Sequence, residues 1–592
     1  MKIVICTTPI RPVPTEFPPF GSLAVIQALQ AADYDPIFYD IDGLRPPFEE
    51  VAKFFRDEAP DLVGISAVVS TAYAYTKKLA LAIKEARRDT KVVVGGNLAA
   101  SAEILLRCSQ VDVCVTGEGE RTIVNLARFF EPRTGKGDCS GLESIKGIAF
   151  LNQQGQMVFT GYEQQLTVDE LLEPDFSILG EYSKINLFVH DPLRRADFAR
   201  DSRTHEPHRR GQKMTTLLST KGCVARCTFC HRWEKGYRAF PVDKVIQRIK
   251  FLRDKCNVGF FVFGDENFAS DRRQVEELVM QIKPLDVLYK VGGVRVRSVD
   301  PDLLKRMRDS GCVSVYYGME TGSPRMLKVM EKNATLEQNI NAARWTHEAG
   351  IYTIYQLVLG MPGETYETID ETIEFIKRVT EYLDEPPRQR LSINFIQALP
   401  GTPVYEYARA TGLIGPTLED EERYLIQVSD VDAGADLIFL NFTEYDYLTV
   451  QSWRSKILFE AEAHYYRRRN WKAVERPAVA VTGRGEGLDD ELAEDYTRGG
   501  YFNLGRMVLP PSFYRYGYWL RPLYQAAAVL KKAIMMFPPG KVLLLLSEWA
   551  RCRFRKRNEL RKEKSLRKVV IELVPLPGTE SDRAMKPLRD GR

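Results

Sequence analysis

The sequence predicts an α/β protein in three parts: an open, doubly wound parallel sheet, a partial barrel of six β/α units, and a mainly helical C-terminal region. Residues 1–130 alternate short apolar runs with amphipathic stretches five times, which predicts five βα units. From residue 214, six more apolar runs alternate with helical segments over about 190 residues, too few for a complete eightfold barrel. A chain of 592 residues exceeds what one hydrophobic core supports, so several domains are expected.

We assign residues 1–140 to the first unit, from the apolar run KIVIC to the helical stretch RTIVNLARFF. Open parallel sheets bind their ligands beyond the carboxyl ends of the strands. Several predicted strands end in small or polar residues, at Thr7–Pro9, Ser66–Ser70, Gly95–Asn97 and Thr116–Glu118. Small residues let a bulky ligand approach the backbone, so we predict a ligand site along this edge. A dinucleotide is not indicated, because no G-x-G-x-x-G follows the first strand.

Residues 141–213 are predicted to be a connection and cap, with a hairpin in GIAFLNQQGQMVFTG. Residues 214–411 form the predicted barrel. Its first strand, MTTLLST, runs directly into KGCVARCTFCH, so the clustered cysteines leave the carboxyl end of a strand. Barrels of this class place their chemistry at that end.

The stretch CVARCTFCH holds Cys223, Cys227, Cys230 and His231, and three kinds of site match it. Its last five residues fit the C-x-x-C-H haem signature, but such haem attachment belongs to exported proteins and the opening residues do not resemble a secretion signal. The three cysteines with His231 supply the four ligands of a zinc site, although structural zinc ligands more often form two separated pairs. A [4Fe–4S] cluster takes one ligand per iron, so three thiolates leave one iron open.

The spacing C-x-x-x-C-x-aromatic-C, with Phe229 as the aromatic residue, resembles the signature of the radical S-adenosylmethionine (SAM) enzymes. The resemblance extends from Met214 to about Thr411. It implies a [4Fe–4S] cluster on the three cysteines, whose open iron chelates the amino and carboxylate groups of SAM. Reductive cleavage of SAM would then give a 5′-deoxyadenosyl radical.

Four downstream stretches resemble elements of that family, and one of them, YKVGGVRVRSVD, resembles the third strand and contains Arg295. VGFFVFGDENF resembles the strand that ends in Gly-Gly-Glu, and its departure from that motif leaves open which carboxylate meets the SAM amino group. VSVYYGMETGS resembles the element at the SAM ribose and carboxylate, and YQLVLGMPGET resembles the element at adenine. The residues that the resemblance implies for SAM are Gly264, Asp265, Glu266, Arg295, Glu320, Ser323, Gln356 and Gly360.

The first unit resembles the Rossmann-like cobalamin-binding domain that precedes many radical SAM enzymes, in PDLVGISAVVSTA, VVVGGNLA and VDVCVTGEGE. The first histidine of the chain is His190, so this unit has no histidine for the lower face of cobalt. The resemblance therefore implies base-off cobalamin. The residues that it implies for cobalamin are Thr8, Ser66, Val68, Ser70, Gly95, Gly96, Gly117 and Glu118.

Residues 412–592 are predicted to be mainly helical with a basic tail. The net charge is only +4, and residues 551–592 hold 14 basic and 6 acidic residues, so no nucleic-acid binding is expected. Aromatic and apolar residues beside this basic run suit either a packed helical subdomain or a helix on an anionic membrane surface. We expect a cytoplasmic protein, with peripheral contact to the inner face of the membrane through 508–592 as a hypothesis.

The two resemblances together imply a B12-dependent radical SAM enzyme. The favoured reaction is methylation of an unactivated carbon via methylcobalamin, and the alternative is a radical cyclisation, rearrangement or oxidation without net methyl transfer. A non-catalytic zinc- or haem-binding protein is the alternative from a different class. The implied partners are a small-molecule or lipid substrate and an external one-electron donor of the flavodoxin or ferredoxin type.

Overall fold

The computed structural model describes residues 1–11, 13–131, 141–180, 182–231, 236–429, 440–468, 518–520, 527, 530 and 539–554. The basic tail and most of 508–592, on which the membrane hypothesis rests, lie outside the described residues, as does Cys139. Within the described part of the chain, no helix has the length and apolar character that a membrane crossing needs.

A seven-stranded sheet forms the first unit, in the order β2-β1-β3-β4-β5-β6-β7. Its first five strands are parallel, which confirms the predicted open sheet. The hairpin that the sequence analysis placed in the connection pairs antiparallel with β5 and extends this sheet. The strands are β1 (Ile3–Thr7), β2 (Ile37–Tyr39), β3 (Leu62–Ser66), β4 (Lys91–Gly95), β5 (Val113–Val115), β6 (Ile148–Leu151) and β7 (Met157–Phe159).

Helices cover both faces of this sheet, because alternate residues of each strand are apolar on both sides. In β1, Val4 and Cys6 belong to one buried cluster, whereas Ile3 and Ile5 belong to another. The helices are α1 (Phe20–Gln30), α2 (Ile41–Leu44), α3 (Phe48–Glu58), α4 (Tyr73–Ala86), α5 (Ala102–Cys108) and α6 (Glu120–Phe130).

Six parallel strands form the second sheet, and their order along the sheet follows their order along the chain, as the predicted partial barrel requires. They are β8 (Lys213–Leu217), β11 (Val258–Phe263), β12 (Leu288–Val294), β13 (Cys312–Glu320), β14 (Tyr352–Leu359) and β15 (Leu391–Phe395). Two short strands, β9 (Thr220–Lys221) and β10 (Arg238–Ala239), pair antiparallel on either side of the cysteine loop.

The remaining helices surround the barrel or follow it. They are α7 (Ala196–Arg200), α8 (Val242–Cys256), α9 (Arg272–Ile282), α10 (Pro301–Asp309), α11 (Pro324–Val329), α12 (Leu336–Glu348), α13 (Tyr366–Thr380), α14 (Pro403–Ala410), α15 (Leu418–Ser429), α16 (Tyr447–Arg468) and α17 (Pro539–Phe554). The predicted helical character after residue 412 is thus confirmed for the described part of that region.

Helix α7 closes the amino end of the barrel. Its Phe198 packs with apolar residues at the start of the strands, including Met214 and Leu288. Beside them, Asp197 accepts hydrogen bonds from Lys290 at 2.5 Å and from the Tyr316 hydroxyl at 3.0 Å. Helix α7 therefore covers the amino ends of these strands, and the cysteines lie at the opposite, carboxyl ends.

The carboxyl ends of the strands in the first sheet face the carboxyl ends of the strands in the second sheet. Leu98 and Ala99, which follow β4, share one buried apolar cluster with Met361 and Val404 of the barrel. Gly401 lies so close to both units that a Cβ there would be 3.0 Å from Ala100 and 3.1 Å from Nδ1 of His231. The end of the barrel, the cysteine motif and the ligand edge of the first sheet therefore meet.

Candidate active site between the two units

Asp265 fixes the start of the cysteine loop. Its Oδ1 accepts hydrogen bonds from the Ser219 N–H at 2.7 Å and the Thr220 N–H at 2.9 Å, and its Oδ2 accepts one from the Ser219 hydroxyl at 2.6 Å. Burial raises the pKa of Asp265 to about 6, although these hydrogen bonds oppose the rise. Both carboxylate oxygens of Asp265 are thus engaged in holding the chain that leads to the cysteines.

The three thiols are carried on one loop that packs against α11. The Ala225 N–H points to Sγ of Cys223 at 3.3 Å, and the Cys230 N–H donates to the Cys227 carbonyl at 3.2 Å. Thr228, between the last two cysteines, is fully buried and donates from its N–H to the carbonyl of Met330 at 3.0 Å. These bonds hold the loop in one conformation.

Charged side chains surround the buried Cys227. Burial raises the pKa of its thiol, and the positive charge of Lys332 opposes that rise. Lys332 itself forms an ion pair with Glu320 at 2.6 Å, and its ammonium lies 5.9 Å from the centre of the Phe229 ring. Burial acts to lower the pKa of Lys332, but Glu320 together with Cys227 and Cys230 outweighs it and the pKa is raised. The Lys332 ammonium thus places positive charge beside the thiols, although burial keeps the pKa of Cys227 and of Cys230 above that of a free thiol.

This donor set fits a cluster better than a single ion. Among the described residues, no three His, Cys, Asp or Glu side chains are arranged to hold one metal ion. A cluster spreads its ligands over separate irons, one thiolate to each. Three thiols on one anchored loop beside a cationic group match that requirement.

The residues predicted for SAM lie around the mouth of the barrel. Glu266 is exposed next to the engaged Asp265, and Gln356 is half-buried on β14. Glu320 ends β13 with a φ of +63°, a conformation that a residue with a side chain seldom adopts. Ser323 is fully buried and its hydroxyl has no hydrogen-bond partner within the described structure. Gly360 directly follows β14 and has a φ of +84°, which explains the glycine.

Arg295 lies at the carboxyl end of β12 and donates to the Lys332 carbonyl at 3.1 Å. Its guanidinium is close enough to Cys223 and Cys227 for their charges to act on its pKa, which burial lowers overall. Gly264 is exposed before Asp265, and a Cβ there would be 2.9 Å from Thr216. Both residues thus lie at the carboxyl ends of barrel strands.

The residues predicted for cobalamin line the edge of the first sheet. The buried Thr8 hydroxyl is 3.5 Å from the Ser66 carbonyl, and Val68 is 44% exposed although it is apolar. The hydroxyl of the fully buried Ser70 has no partner among the described residues, and neither has that of Thr116. Orphaned hydroxyls and an open apolar residue at one strand edge fit a large ligand with polar and apolar parts.

Three glycines shape the same edge. A Cβ on Gly95 would have a single neighbour, Val115 at 4.0 Å, so this position leaves room for a ligand. Gly96 has a φ of +85°, and a Cβ there would be 2.4 Å from the Ala67 carbonyl oxygen. Gly117 has a φ of +86° and lies beside Tyr162. The first glycine keeps the edge open and the other two let the chain turn.

Glu118, predicted for cobalamin, is engaged with the barrel unit. Its carboxylate accepts hydrogen bonds from both terminal nitrogens of Arg238, at 2.5 and 3.0 Å, and from the Leu166 N–H at 2.8 Å. Lys221 lies 3.3 Å from Glu118 and 2.8 Å from Glu120. We call Glu118, Glu120, Lys221 and Arg238 the interdomain clasp. It joins the end of β5 to the two strands that flank the cysteine loop.

The sequence analysis did not identify the two basic residues of the clasp, Lys221 and Arg238, or Lys332. Lys221 precedes Cys223 by two residues, and its charge next to the motif was the one available signal. Arg238 and Lys332 have no distinguishing sequence context. Each is one of 83 basic residues, and only the folded chain brings them to the site.

Two family models match the chain. That of the radical SAM superfamily matches residues 217–376, and that of the B12 binding domain matches residues 7–127. The chain therefore contains a radical SAM domain and a B12-binding domain, as the two resemblances in the sequence implied. These domains support SAM, a [4Fe–4S] cluster and cobalamin as cofactors.

Two relatives show how far the similarity extends. An uncharacterized methyltransferase of Pyrococcus horikoshii is 28% identical over 434 residues, which cover 70% of this chain and 84% of that protein. The anaerobic magnesium-protoporphyrin IX monomethyl ester cyclase of Cereibacter sphaeroides is 27% identical over 367 residues, 60% of this chain. The chain spans only 56% of that cyclase.

Solved structures share the fold. The cobalamin-dependent SAM radical enzyme OxsB, with aqua-cobalamin bound, superimposes with a TM-score of 0.59 at 15% identity, over 97% of this chain and 80% of OxsB. The radical SAM methyltransferase TsrM of Kitasatospora setae gives a TM-score of 0.53 at 20% identity, over 70% of this chain and 77% of TsrM. These likenesses confirm the order of a B12-binding sheet followed by a partial barrel.

Proposed function

We propose that this enzyme transfers a methyl group from SAM to a carbon atom of a small-molecule or lipid substrate. The observation that carries the proposal is the contact of the two units at Gly401, Ala100 and His231, which brings the cysteine loop close to the end of the first sheet. A radical that must pass directly between bound groups requires such proximity. The similarity to an uncharacterized methyltransferase over 84% of its length supports the choice of methyl transfer.

In this proposal, Cys223, Cys227 and Cys230 hold the cluster, which supplies the electron for SAM cleavage when bound. Glu266 accepts a hydrogen bond from the SAM ammonium, because both oxygens of Asp265 are already engaged. The Ser323 hydroxyl, buried and unpaired in the described structure, donates to a polar group of SAM. The protein's own work is to orient these groups and to exclude water from them.

On the cobalamin side, the edge from Thr8 to Gly117 holds the cofactor, which supplies a methyl carrier when bound. The Ser70 and Thr116 hydroxyls are proposed to donate to its polar periphery. The open position of Gly95 leaves room for its bulk. Glu118 is proposed to act on cobalamin only indirectly, by fixing the first sheet against the barrel.

The proposal is tested with SAM that carries a labelled methyl group. The reconstituted enzyme is incubated anaerobically with a reductant and an extract of small molecules, and products are compared by mass spectrometry with those of the Cys230→Ala variant. A product that carries the label and is missing with the variant supports carbon methylation. Turnover of SAM to 5′-deoxyadenosine with no label in any product would reject methyl transfer.

A second candidate function is a radical cyclisation or oxidation without net methyl transfer. The 27% identity to the anaerobic magnesium-protoporphyrin IX monomethyl ester cyclase favours it. The same experiment separates the two, because a cyclisation product has the mass of its substrate less the hydrogen atoms removed, or plus added oxygen, and contains no labelled methyl group.

A further inference from the structure

A cleft of about 590 Å³ lies against the cysteine loop, and no residue of the first sheet is among those that line it. One wall is the loop segment Val224–Arg226, which connects the first two cysteines. The opposite wall is formed by α11 and the start of α12. The cleft therefore adjoins the loop that carries the thiols.

The cleft is strongly basic. One acidic residue, Glu331, lines it together with four basic ones: Arg226, Arg295, Arg297 and Lys328. Arg297 and Lys328 are exposed, and neither side chain has an ion pair or hydrogen bond within the described part of the chain. Unneutralised positive charge concentrated at one cleft attracts an acidic partner and speeds its association.

An apolar residue lies within this basic rim. Val224 is 49% exposed although it directly follows Cys223. A charged rim around a small apolar contact is the composition of weak, transient protein interfaces such as those of electron carriers. The surface thus differs from a closed small-molecule pocket, which is mostly apolar and enclosed.

We propose that this basic cleft is the docking surface for an acidic one-electron carrier protein of the flavodoxin type. The inference rests on the proposed function, since reductive SAM cleavage consumes one electron per radical formed. The carrier is oxidised by one electron and the cluster is reduced by one, with no bond made or broken between the proteins. Arg297 and Lys328 attract the carrier's acidic surface, and Val224 contacts it above the cysteine loop.

The test compares the full-length reconstituted protein with its Arg297→Glu/Lys328→Glu variant. The matched control is Lys250→Glu/Lys255→Glu, which reverses two exposed charges on α8, away from the cleft. Binding of an acidic flavodoxin is measured by calorimetry at low and high salt, and cluster reduction by that flavodoxin is followed by stopped-flow absorbance. The cleft variant should bind at least about ten-fold more weakly and lose most of the salt dependence.

Reduction by dithionite separates the possible outcomes. Unchanged SAM cleavage with dithionite, together with a loss of flavodoxin binding in the cleft variant alone, supports the proposal. Equal flavodoxin binding by the wild type and the cleft variant would overturn the proposal. A cleft variant with a raised KM for substrate and unchanged reduction by flavodoxin would also overturn it, because the cleft would then bind the substrate. Wild-type protein that binds flavodoxin but does not cleave SAM with dithionite would instead reject the proposed function.

Discussion

Arg238 donates hydrogen bonds from both terminal nitrogens to Glu118, at 2.5 and 3.0 Å, across the boundary between the two units. Glu118 follows the last parallel strand of the B12-binding sheet, and Arg238 lies in the strand that follows the cysteine loop. Both side chains are nearly buried, with 6% and 11% exposed. This bidentate pair, together with the ion pairs of Lys221 in the same clasp, fixes the edge of the first sheet relative to the cysteine loop.

The variant Glu118→Gln should weaken this junction. Breaking a buried pair leaves Arg238 without its counter-charge, so we expect a loss of about 2–3 kcal/mol in the free energy of unfolding, measured by urea denaturation. Glu103→Gln, which removes one partner of the more exposed pair with Arg107, is the control and should cost less than about 0.5 kcal/mol. Equal losses in the two variants would show that the clasp does not stabilise the junction.

The clasp also predicts a pH dependence. Burial acts to raise the pKa of Glu118, but Arg238 and Lys221 outweigh it and the pKa is lowered. A carboxyl whose pKa is lower in the folded state adds stability above its ordinary value of 4.5, and this gain is lost as the pH falls through the folded value. The difference in stability between wild type and Glu118→Gln should therefore shrink below about pH 4.5. A constant difference across that range would contradict the assignment.

Removing the charge of Asp265 and removing the charge of Glu266 should have different effects on SAM binding and on stability. Glu266→Gln should raise the Kd for SAM about ten-fold or more with little change in stability, because it loses a charge-assisted hydrogen bond to the SAM ammonium. Asp265→Asn should destabilise the fold by about 1–3 kcal/mol and impair cluster assembly, since an amide nitrogen cannot accept from Ser219. Equilibrium binding of SAM and thermal unfolding measure the two effects. The reverse pattern would assign SAM binding to Asp265.

The pair of Lys290 and Asp197 closes the amino end of the barrel and can be tested by a double-mutant cycle. Lys290→Met should cost about 3–5 kcal/mol, because it leaves Asp197 charged and buried. Lys290→Met/Asp197→Asn should cost less, since neither charge remains. Burial lowers the pKa of Lys290 to about 8, while Asp197 opposes the shift. Wild-type stability relative to the variant should therefore rise with pH between about 8 and 10.5, where the unfolded chain binds the extra proton.

The sequence predicted the fold well where burial alone decides it. The parallel strands of both sheets are buried on two faces. Apolar runs such as VGFFVF and KVVVGG therefore predict strands even when the neighbouring strands are not known. The hairpin at 148–159 was recognised as a hairpin, but its attachment to β5 was not, because an antiparallel extension has no signature in the hairpin itself.

The candidate site was predictable only in part. The three cysteines form a pattern that lies within one short stretch of the chain, so the sequence alone reveals it. The clasp joins Glu118 to a residue 120 positions later, and neither side chain differs in sequence from an ordinary surface charge. The choice between Asp265 and Glu266 depends on which of two adjacent carboxylates turns inward to Ser219, which only the folded structure shows.

The cysteines themselves offer the simplest separation of the two cofactor sites. Alanine in place of Cys223, Cys227 or Cys230 should abolish cluster assembly, measured as bound iron and sulfide, and leave cobalamin binding intact. Cys256→Ala, at the end of α8, is the control and should retain the cluster. Loss of cobalamin together with the cluster would contradict independent sites.

The central claim is a three-thiolate cluster with one iron free for SAM, facing a cobalamin domain. It is tested most directly by iron, sulfide and corrinoid analysis of the anaerobically reconstituted full-length chain, with electron paramagnetic resonance of the reduced protein before and after SAM is added. We predict about four irons and four sulfides per chain, one corrinoid, and a cluster signal that SAM changes. Zinc without iron, or a cluster signal that SAM leaves unchanged, would contradict the account.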